Sequence, residues 1–251
     1  MSHPPSTQRP RPAELLSCGA PNDRSPTKVT SERQDCGRRK GRAMNGRVSD
    51  TSALRQIYRQ PSRLVANKNV PAIDAESARF LALSPLCVLA THGPGGTDAS
   101  PRGGPPGFAR VLDDGTRLAF GDLAGNNRLD SYTNFLDNPQ VGLIFFVPGS
   151  DHTVRVNGAA SLTTDPDVCA ATAVGNRVPK TAVVVDVDEC FLHCGKALIR
   201  ANLWDTSTWP DSEVPTAGEI LASQHELQAE PSAIDQDLEA GYEATLWSDA
   251  G

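Results

Sequence analysis

The chain has 251 residues, of which 38% are hydrophobic and 5% aromatic, and this content allows one sizeable core, or a domain of about 150–200 residues with tails. The sequence contains no run of about 18 apolar residues, which argues against a membrane-spanning helix, and no apolar stretch near Met1 long enough for a secretory signal, so we expect a cytoplasmic protein. The net charge of −6 is unevenly spread, because residues 1–47 contain ten basic and four acidic residues whereas residues 205–251 contain eleven acidic and no basic ones.

Composition divides the chain into three regions. Residues 1–47 are rich in Pro, Gly, Ser and Arg without apolar periodicity, which predicts a disordered basic leader. Contact with nucleic acid or an acidic surface is the alternative for this leader, but we expect no nucleic-acid partner. Translation starting at Met44 would remove most of it. Residues 48–205 are expected to form one domain, and residues 206–251 an acidic tail that is partly helical or disordered.

Capping residues, apolar periodicity and turn signals define the predicted elements of the chain. In chain order, the sequence predicts a helix after Ser49–Ser52, a helix over Asp74–Leu83, strands over Leu86–Thr91, Asp98–Pro101, Phe108–Leu112 and Thr116–Phe120, a helix over Asn127–Asn138, strands over Val141–Val147 and Thr153–Leu162, a helix over Asp165–Val174, a strand over Thr181–Val187, a helical segment or turn over Cys190–Ala201, and short helices over His225–Leu227 and Leu238–Leu246.

These elements indicate a mainly β fold. The connections between the strands are mostly too short for βαβ units, so the strands are expected to form a six- to seven-stranded antiparallel barrel with short peripheral helices. Asp113–Gly115 is a hairpin signal. Gly158, inside an alternating strand, indicates a β-bulge or a close backbone approach.

The segment from Ser100 to Asn138 is the most informative for function. Arg102 precedes a Gly/Pro corner, and Asn126, Asn127 and Arg128 lie on a turn that is predicted to open a helix. Free amides at a helix start, together with two arginines, form a cradle for a phosphate. The backbone of Phe120–Asp122 ends a strand, where it would meet a flat ring edge-on. The same residues also fit a plain turn with an N-cap and a surface arginine.

Two later segments have weaker signals. Arg155 and Asn157 share one face of a strand, which fits either a ligand contact or a solvated face. Cys190, His193 and Cys194 resemble zinc ligands, but the chain has no second Cys or His pair to complete the set, so we expect no metal. Alternatively, His193 shares a cationic helical face with Lys196 and Arg200, next to the aromatic Trp204.

The sequence has no nucleophile motif, Walker sequence or dinucleotide fingerprint, so any chemistry is expected from a cofactor, and no catalytic residue is assigned. The order of the motifs resembles the pyridoxamine 5'-phosphate oxidase-like, FMN-binding split-barrel flavoproteins over residues 50–205. The matching positions are Ser84–Pro85, Leu89–Thr91, Asp98, Ser100–Gly103, Pro105–Phe108, Leu112–Asp114, Gly125–Asn126, Arg128, Asp130–Ser131, Asn134, Asn138–Pro139, Val141–Leu143, Phe145, Val147–Gly149, Arg155–Gly158, Ala160, His193–Cys194, Lys196–Ala197, Arg200 and Leu203–Trp204.

The resemblance implies an FMN-binding split β-barrel and a homodimer with FMN at its interface. It implies that the flavin is contacted, in part from the partner subunit, by Ser100, Arg102, Phe120, Gly121, Asp122, Asn126, Asn127, Arg128, Arg155, Lys196, Arg200 and Trp204. Three features depart from the family: this branch commonly has Pro at the position of Gly121, the authentic oxidases have Arg-Lys at the position of Asn127–Arg128, and their Arg-x-His ending is absent. We therefore do not expect pyridoxamine phosphate as the substrate.

Three functions are compatible with these residues. The first is an FMN-dependent oxidoreductase acting on a small molecule, and the second is a flavin-binding module or sensor without turnover. The third is the same barrel holding a deazaflavin, which needs a wider basic groove, or haem, for which His92, His152 or His193 would be the axial ligand.

Overall fold

The computed structural model describes residues 46–210 and 213–247. Nearly all of the predicted leader, including Met44, lies outside these residues. The chain divides into two units after Arg59. Within the first unit, helix α1 (Thr51–Ile57) begins where predicted, and the side chain of Asp50 caps it by accepting the amide of Ala53 at 2.9 Å.

The second unit is built on one antiparallel sheet, as predicted. Its seven strands are β1 (Leu86–Gly93), β2 (Gly96–Gly103), β3 (Ala109–Leu112), β4 (Arg117–Gly121), β5 (Gln140–Phe146), β6 (Thr153–Thr163) and β7 (Ala182–His193). Their order across the sheet is β2-β1-β5-β6-β7-β4-β3. The Asp113–Gly115 turn joins β3 to its antiparallel neighbour β4, which confirms the predicted hairpin.

Helices flank the sheet. They are α2 (Arg63–Ala66), α3 (Ala75–Leu83), α4 (Asp130–Asp137), α5 (Pro166–Ala171), α6 (Lys196–Arg200), α7 (Ala217–His225) and α8 (Pro231–Thr245). Helix α3 confirms the helix predicted over Asp74–Leu83, with the side chain of Asp74 as its cap and Leu81 packed in the core. Within the described ranges, no helix has the length and apolar character needed to cross a membrane.

The core lies against one face of the sheet. Leu89, Leu143, Phe145 and Val156 are essentially inaccessible, and they alternate with more exposed neighbours because successive side chains of a strand point to opposite faces. Cys87 is also fully buried, as a small core residue.

The bulge predicted at Gly158 is confirmed. The register between β6 and β7 shifts between Asn157 and Gly158. A Cβ at Gly158 would lie 2.0 Å from the carbonyl oxygen of Asp186, so only glycine allows β7 to approach this closely.

Four predicted elements differ from the structure. Helix α8 begins at Pro231 and not at the predicted Leu238. Cys190–His193 is not helical but continues β7, because it pairs with residues 153–156 of β6, and only residues 196–200 form a helix. His225 ends helix α7 rather than starting one, and Glu226 after it has a φ of 51°. The helix predicted from Asn127 starts only at Asp130, because the two positive-φ residues Asn127 and Leu129 interrupt the chain before it.

Candidate functional site

A pocket of about 400 Å³ opens at one end of the sheet, within the range typical of small-molecule sites. Strand β2, the end of β4, the loop before α4, the loop before β7 and the end of α8 enclose it. Its lining is formed by Asp98, Ser100, Arg102, Asp122, Leu123, Ala124, Gly125, Asn126, Asn127, Arg128, Leu129, Asp130, Ser131, Tyr132, Arg177, Val178, Pro179, Lys180, Leu246 and Trp247. Six of the twelve predicted cofactor residues line it: Ser100, Arg102, Asp122, Asn126, Asn127 and Arg128.

Arg102 is the half-buried cation of this pocket. Strand β2 positions it, and its two terminal nitrogens donate to the hydroxyls of Ser131 at 3.1 Å and Tyr132 at 3.2 Å. Its guanidinium carbon also lies 5.1 Å from the centre of the Tyr132 ring. The Nε atom is buried without a hydrogen-bond partner, and across residues 46–210 and 213–247 Arg102 forms no ion pair. A buried, unpaired donor of this kind is costly and rare, and suits an anionic ligand.

Two carboxylates hold the hydroxyls that surround Arg102. The Ser131 hydroxyl donates to Asp98 at 2.7 Å, and the Tyr132 hydroxyl donates to Asp122. Burial, followed by the hydrogen bond to Asp122, raises the pKa of Tyr132. The phenol therefore stays protonated at neutral pH, where its proton points to Asp122 and its oxygen accepts from Arg102.

Arg128 occupies a more exposed part of the same pocket. Its side chain is 72% exposed and pairs with Asp130 at 2.8 Å. Its amide donates to the side chain of Asn126 at 3.1 Å, which closes the turn before α4. Asn126, Asn127 and Arg128 thus lie in a loop that precedes the helix, and not in its first turn as predicted.

The strand-end residues of β4 contribute less than the sequence suggested. The side chain of Phe120 is buried in the core, where its ring packs edge-on against Phe108 at 6.2 Å. A Cβ at Gly121 would lie 2.7 Å from Pro179, so the missing side chain lets the loop before β7 approach the strand. Of the three residues, only Asp122 lines the pocket.

Part of the pocket lining comes from segments whose place in the site could not be predicted from the sequence. Arg177 and Lys180 belong to the loop before β7, and Leu246 and Trp247 follow α8. Four basic and three acidic side chains therefore line the pocket. No local pattern links these segments to Arg102, because they lie more than 70 positions away in the chain. Ser131 and Tyr132 were also missed as site residues, although they follow the predicted turn directly.

The remaining predicted residues lie elsewhere on the chain. Arg155 faces Phe191, with its guanidinium carbon 5.2 Å from the ring centre, and its Nε is buried without a partner. Lys196 and Arg200 are exposed on α6. The indole of Trp204 donates to the carbonyl of Ser150 at 2.8 Å. None of these four residues lines the pocket that contains Arg102.

The candidate metal and haem ligands are also separated from this pocket. Cys190 is buried in the core, whereas Cys194 is exposed, and the described residues contain no cluster of three metal-ligating side chains. His92 and His152 are exposed. Burial, with the charges of Lys68 and Arg155, lowers the pKa of His193, whose Nδ1 is buried without a partner. No histidine in the described ranges lines the pocket.

Fold and site together define a mainly β, antiparallel split-barrel protein with one mixed-charge pocket. A family model described as pyridoxamine 5'-phosphate oxidase matches residues 73–194, which include all seven strands. This match places the domain formed by residues 73–194 in the pyridoxamine 5'-phosphate oxidase-like family, which confirms the resemblance found in the sequence. This family includes oxidases and generally binds flavin.

Solved structures with a similar fold include three bacterial proteins. HupZ of Group A Streptococcus is 20% identical with a TM-score of 0.39, covering 48% of this chain and 93% of its own. A NimC/NimA family protein of Clostridium acetobutylicum is 18% identical with a TM-score of 0.37, covering 48% and 87%. The FAD binding protein of Mycobacterium smegmatis is 16% identical with a TM-score of 0.35, covering 49% and 97%. A search of curated proteins found no match.

Proposed function

We propose that this protein binds FMN with the flavin phosphate at Arg102 and acts as an FMN-dependent oxidoreductase on a small molecule. The observation that supports the proposal most strongly is the state of Arg102. Its guanidinium is fixed by Ser131 and Tyr132, forms no ion pair among the described residues, and has a buried Nε without a partner. A phosphate oxygen accepting from Nε would satisfy this donor and neutralise the charge.

The groups around Arg102 suit a phosphate better than a haem. The hydroxyls of Ser100 and Ser131 lie 3.1 Å apart beside the guanidinium. Because the Ser131 hydroxyl already donates to Asp98, the Ser100 hydroxyl is the one that would donate to a phosphate oxygen. Arg128 adds a second positive charge at the rim. A haem iron held by histidine would need an imidazole, and among the described residues that line the pocket there is none. A 400 Å³ pocket with both polar and apolar walls fits a phosphate joined to a flat ring.

The chain's own residues would position the cofactor and control charge. Bound FMN supplies the two-electron acceptor that the protein side chains lack. Asp98 and Asp122 orient the Ser131 and Tyr132 hydroxyls, and so hold the guanidinium of Arg102 in place. Because the pKa of Tyr132 is raised, its hydroxyl stays neutral, donates to Asp122, and does not add a negative charge beside the phosphate site.

The proposal includes a homodimer. Arg155, Lys196, Arg200 and Trp204 lie outside the pocket of their own chain, so they would contact a flavin only if it were bound by a second copy. The buried, unpaired Nε of Arg155 supports a ligand or partner contact on that face. The proposal keeps the expected cytoplasmic location, where free thiols such as Cys87 and Cys194 persist.

Reconstitution of the purified protein tests this function. We expect FMN to bind with flavin absorbance at one flavin per chain, haem and a deazaflavin to bind more weakly, and NADH or NADPH to reduce the bound flavin in a stopped-flow experiment. Binding of FMN without reduction by either donor would favour a module without turnover. A Soret band with haem and no FMN binding would contradict the proposal.

A further inference from the structure

The acidic C-terminal region ends beside the pocket. Helix α8 runs from Pro231 to Thr245, and Leu246 and Trp247 after it line the same pocket as Arg102. The guanidinium carbon of Arg177 lies 5.9 Å from the centre of the Trp247 ring, within cation–π distance. An aromatic side chain thus lines the same pocket as the proposed phosphate site, at a position that lies outside the family match.

Helix α8 is held by tight packing against α7. The amide of Gly218 donates to Asp235 at 2.7 Å, and a Cβ at Gly218 would lie 2.1 Å from the carbonyl oxygen of Pro231. Thr216 and Glu219 form a capping box that fixes the start of α7. Trp247 therefore follows a helix that is packed in a hairpin, and its contact with Arg177 ties it to the loop before β7.

The other two tryptophans have structural roles that Trp247 lacks. The indole N–H of Trp204 donates to the Ser150 carbonyl at 2.8 Å, and that of Trp209 donates to the Leu203 carbonyl at 3.0 Å. In the described part of the chain, the indole N–H of Trp247 has no hydrogen-bond partner, and the residue is 44% exposed. A large aromatic surface left open toward a concave pocket is typical of a ring-binding wall.

We propose that Trp247 is the aromatic wall of the cofactor site and stacks on the isoalloxazine ring of FMN, while Arg177 braces the indole. This inference rests on the proposed function and extends it. In this arrangement, Arg102 binds the phosphate of FMN and Trp247 binds its ring, so both residues contribute to the affinity. It also assigns a role to the acidic C-terminal hairpin.

Paired titrations with FMN and riboflavin separate these two contributions. Because Trp247 acts on the ring, Trp247→Ala should weaken both ligands by the same factor, about tenfold. Trp247→Phe should keep most of the affinity, and Trp209→Phe, the matched control away from the pocket, should equal wild type. Indole stacking quenches flavin emission, so bound FMN should fluoresce more strongly in Trp247→Ala than in wild type.

The outcomes distinguish this inference from the function on which it rests. Wild-type protein that binds neither flavin overturns both. Wild-type protein that binds FMN, with unchanged affinity and emission in Trp247→Ala, overturns the role of Trp247 alone. Thermal melts check that each variant is folded. If the alanine variant is unstable, the emission of FMN bound to Trp247→Phe tests the contact between residue 247 and the flavin ring.

Discussion

Replacing Arg102 with alanine should remove most of the affinity for FMN and little of the affinity for riboflavin. Hydrogen bonds to charged groups are worth about 1.5–3 kcal/mol each. The guanidinium has a free Nε and terminal nitrogens that are already oriented. Loss of two such contacts costs at least about 3 kcal/mol, which is more than a hundredfold in Kd. Arg102→Lys keeps the charge but loses the planar set of guanidinium N–H donors, so we expect an intermediate loss of FMN affinity.

Arg128 is the matched comparison. Its side chain is 72% exposed and already paired with Asp130, and exposed ion pairs are worth no more than about 1 kcal/mol. Arg128→Ala should therefore weaken FMN by less than about fivefold. Isothermal titration with FMN and riboflavin measures both variants, with circular dichroism as the check on folding. Equal losses for the two arginines, or equal losses for FMN and riboflavin in Arg102→Ala, would refute the phosphate assignment.

Three further predictions concern the fold and its titrating groups. Gly158→Ala should lower the free energy of unfolding in urea by about 2–3 kcal/mol, because the added Cβ meets the facing backbone. Gly241→Ala, in open space within α8, should raise it by about 0.5–1 kcal/mol. At pH 8 an alkylating reagent should label the exposed Cys194 and leave Cys87 unmodified, because burial raises the pKa of Cys87 to about 12; equal labelling by peptide mass spectrometry would contradict this. Burial and two neighbouring basic side chains lower the pKa of His193 in the folded protein. As the pH falls, His193 is therefore protonated in the unfolded chain at a higher pH than in the folded one. Stability should then fall as the pH drops below about 6.5, and should fall less in His193→Gln.

Strand β6 could be predicted from its alternating pattern, and β1, β5 and β7 from apolar runs bounded by turn residues. The bulge at Gly158 could also be predicted, since a glycine inside such a strand marks an irregularity. The run Cys190–His193 was assigned wrongly because a short apolar segment fits either a helix or a strand, and only its pairing with β6 decides between them. The capping box of Thr216 and Glu219 was a readable signal for α7 that went unused.

The residues of the candidate site could also be predicted only in part. Arg102 and Arg128 were predicted to share one site, and both line the pocket. Arg177 and Trp247 could not be connected with it, because no spacing rule relates a loop and a helix end that only tertiary packing brings together. Phe120 was predicted as a ligand contact from its position at a strand end, but its side chain faces the core.

A crystal structure of the FMN complex tests the central claim most directly. We predict phosphate oxygens within hydrogen-bonding distance, about 3 Å, of Arg102 Nε and of the Ser100 hydroxyl. A flavin whose phosphate lies away from Arg102, for example beside Arg155 of its own chain, would contradict the account even if the protein binds FMN tightly.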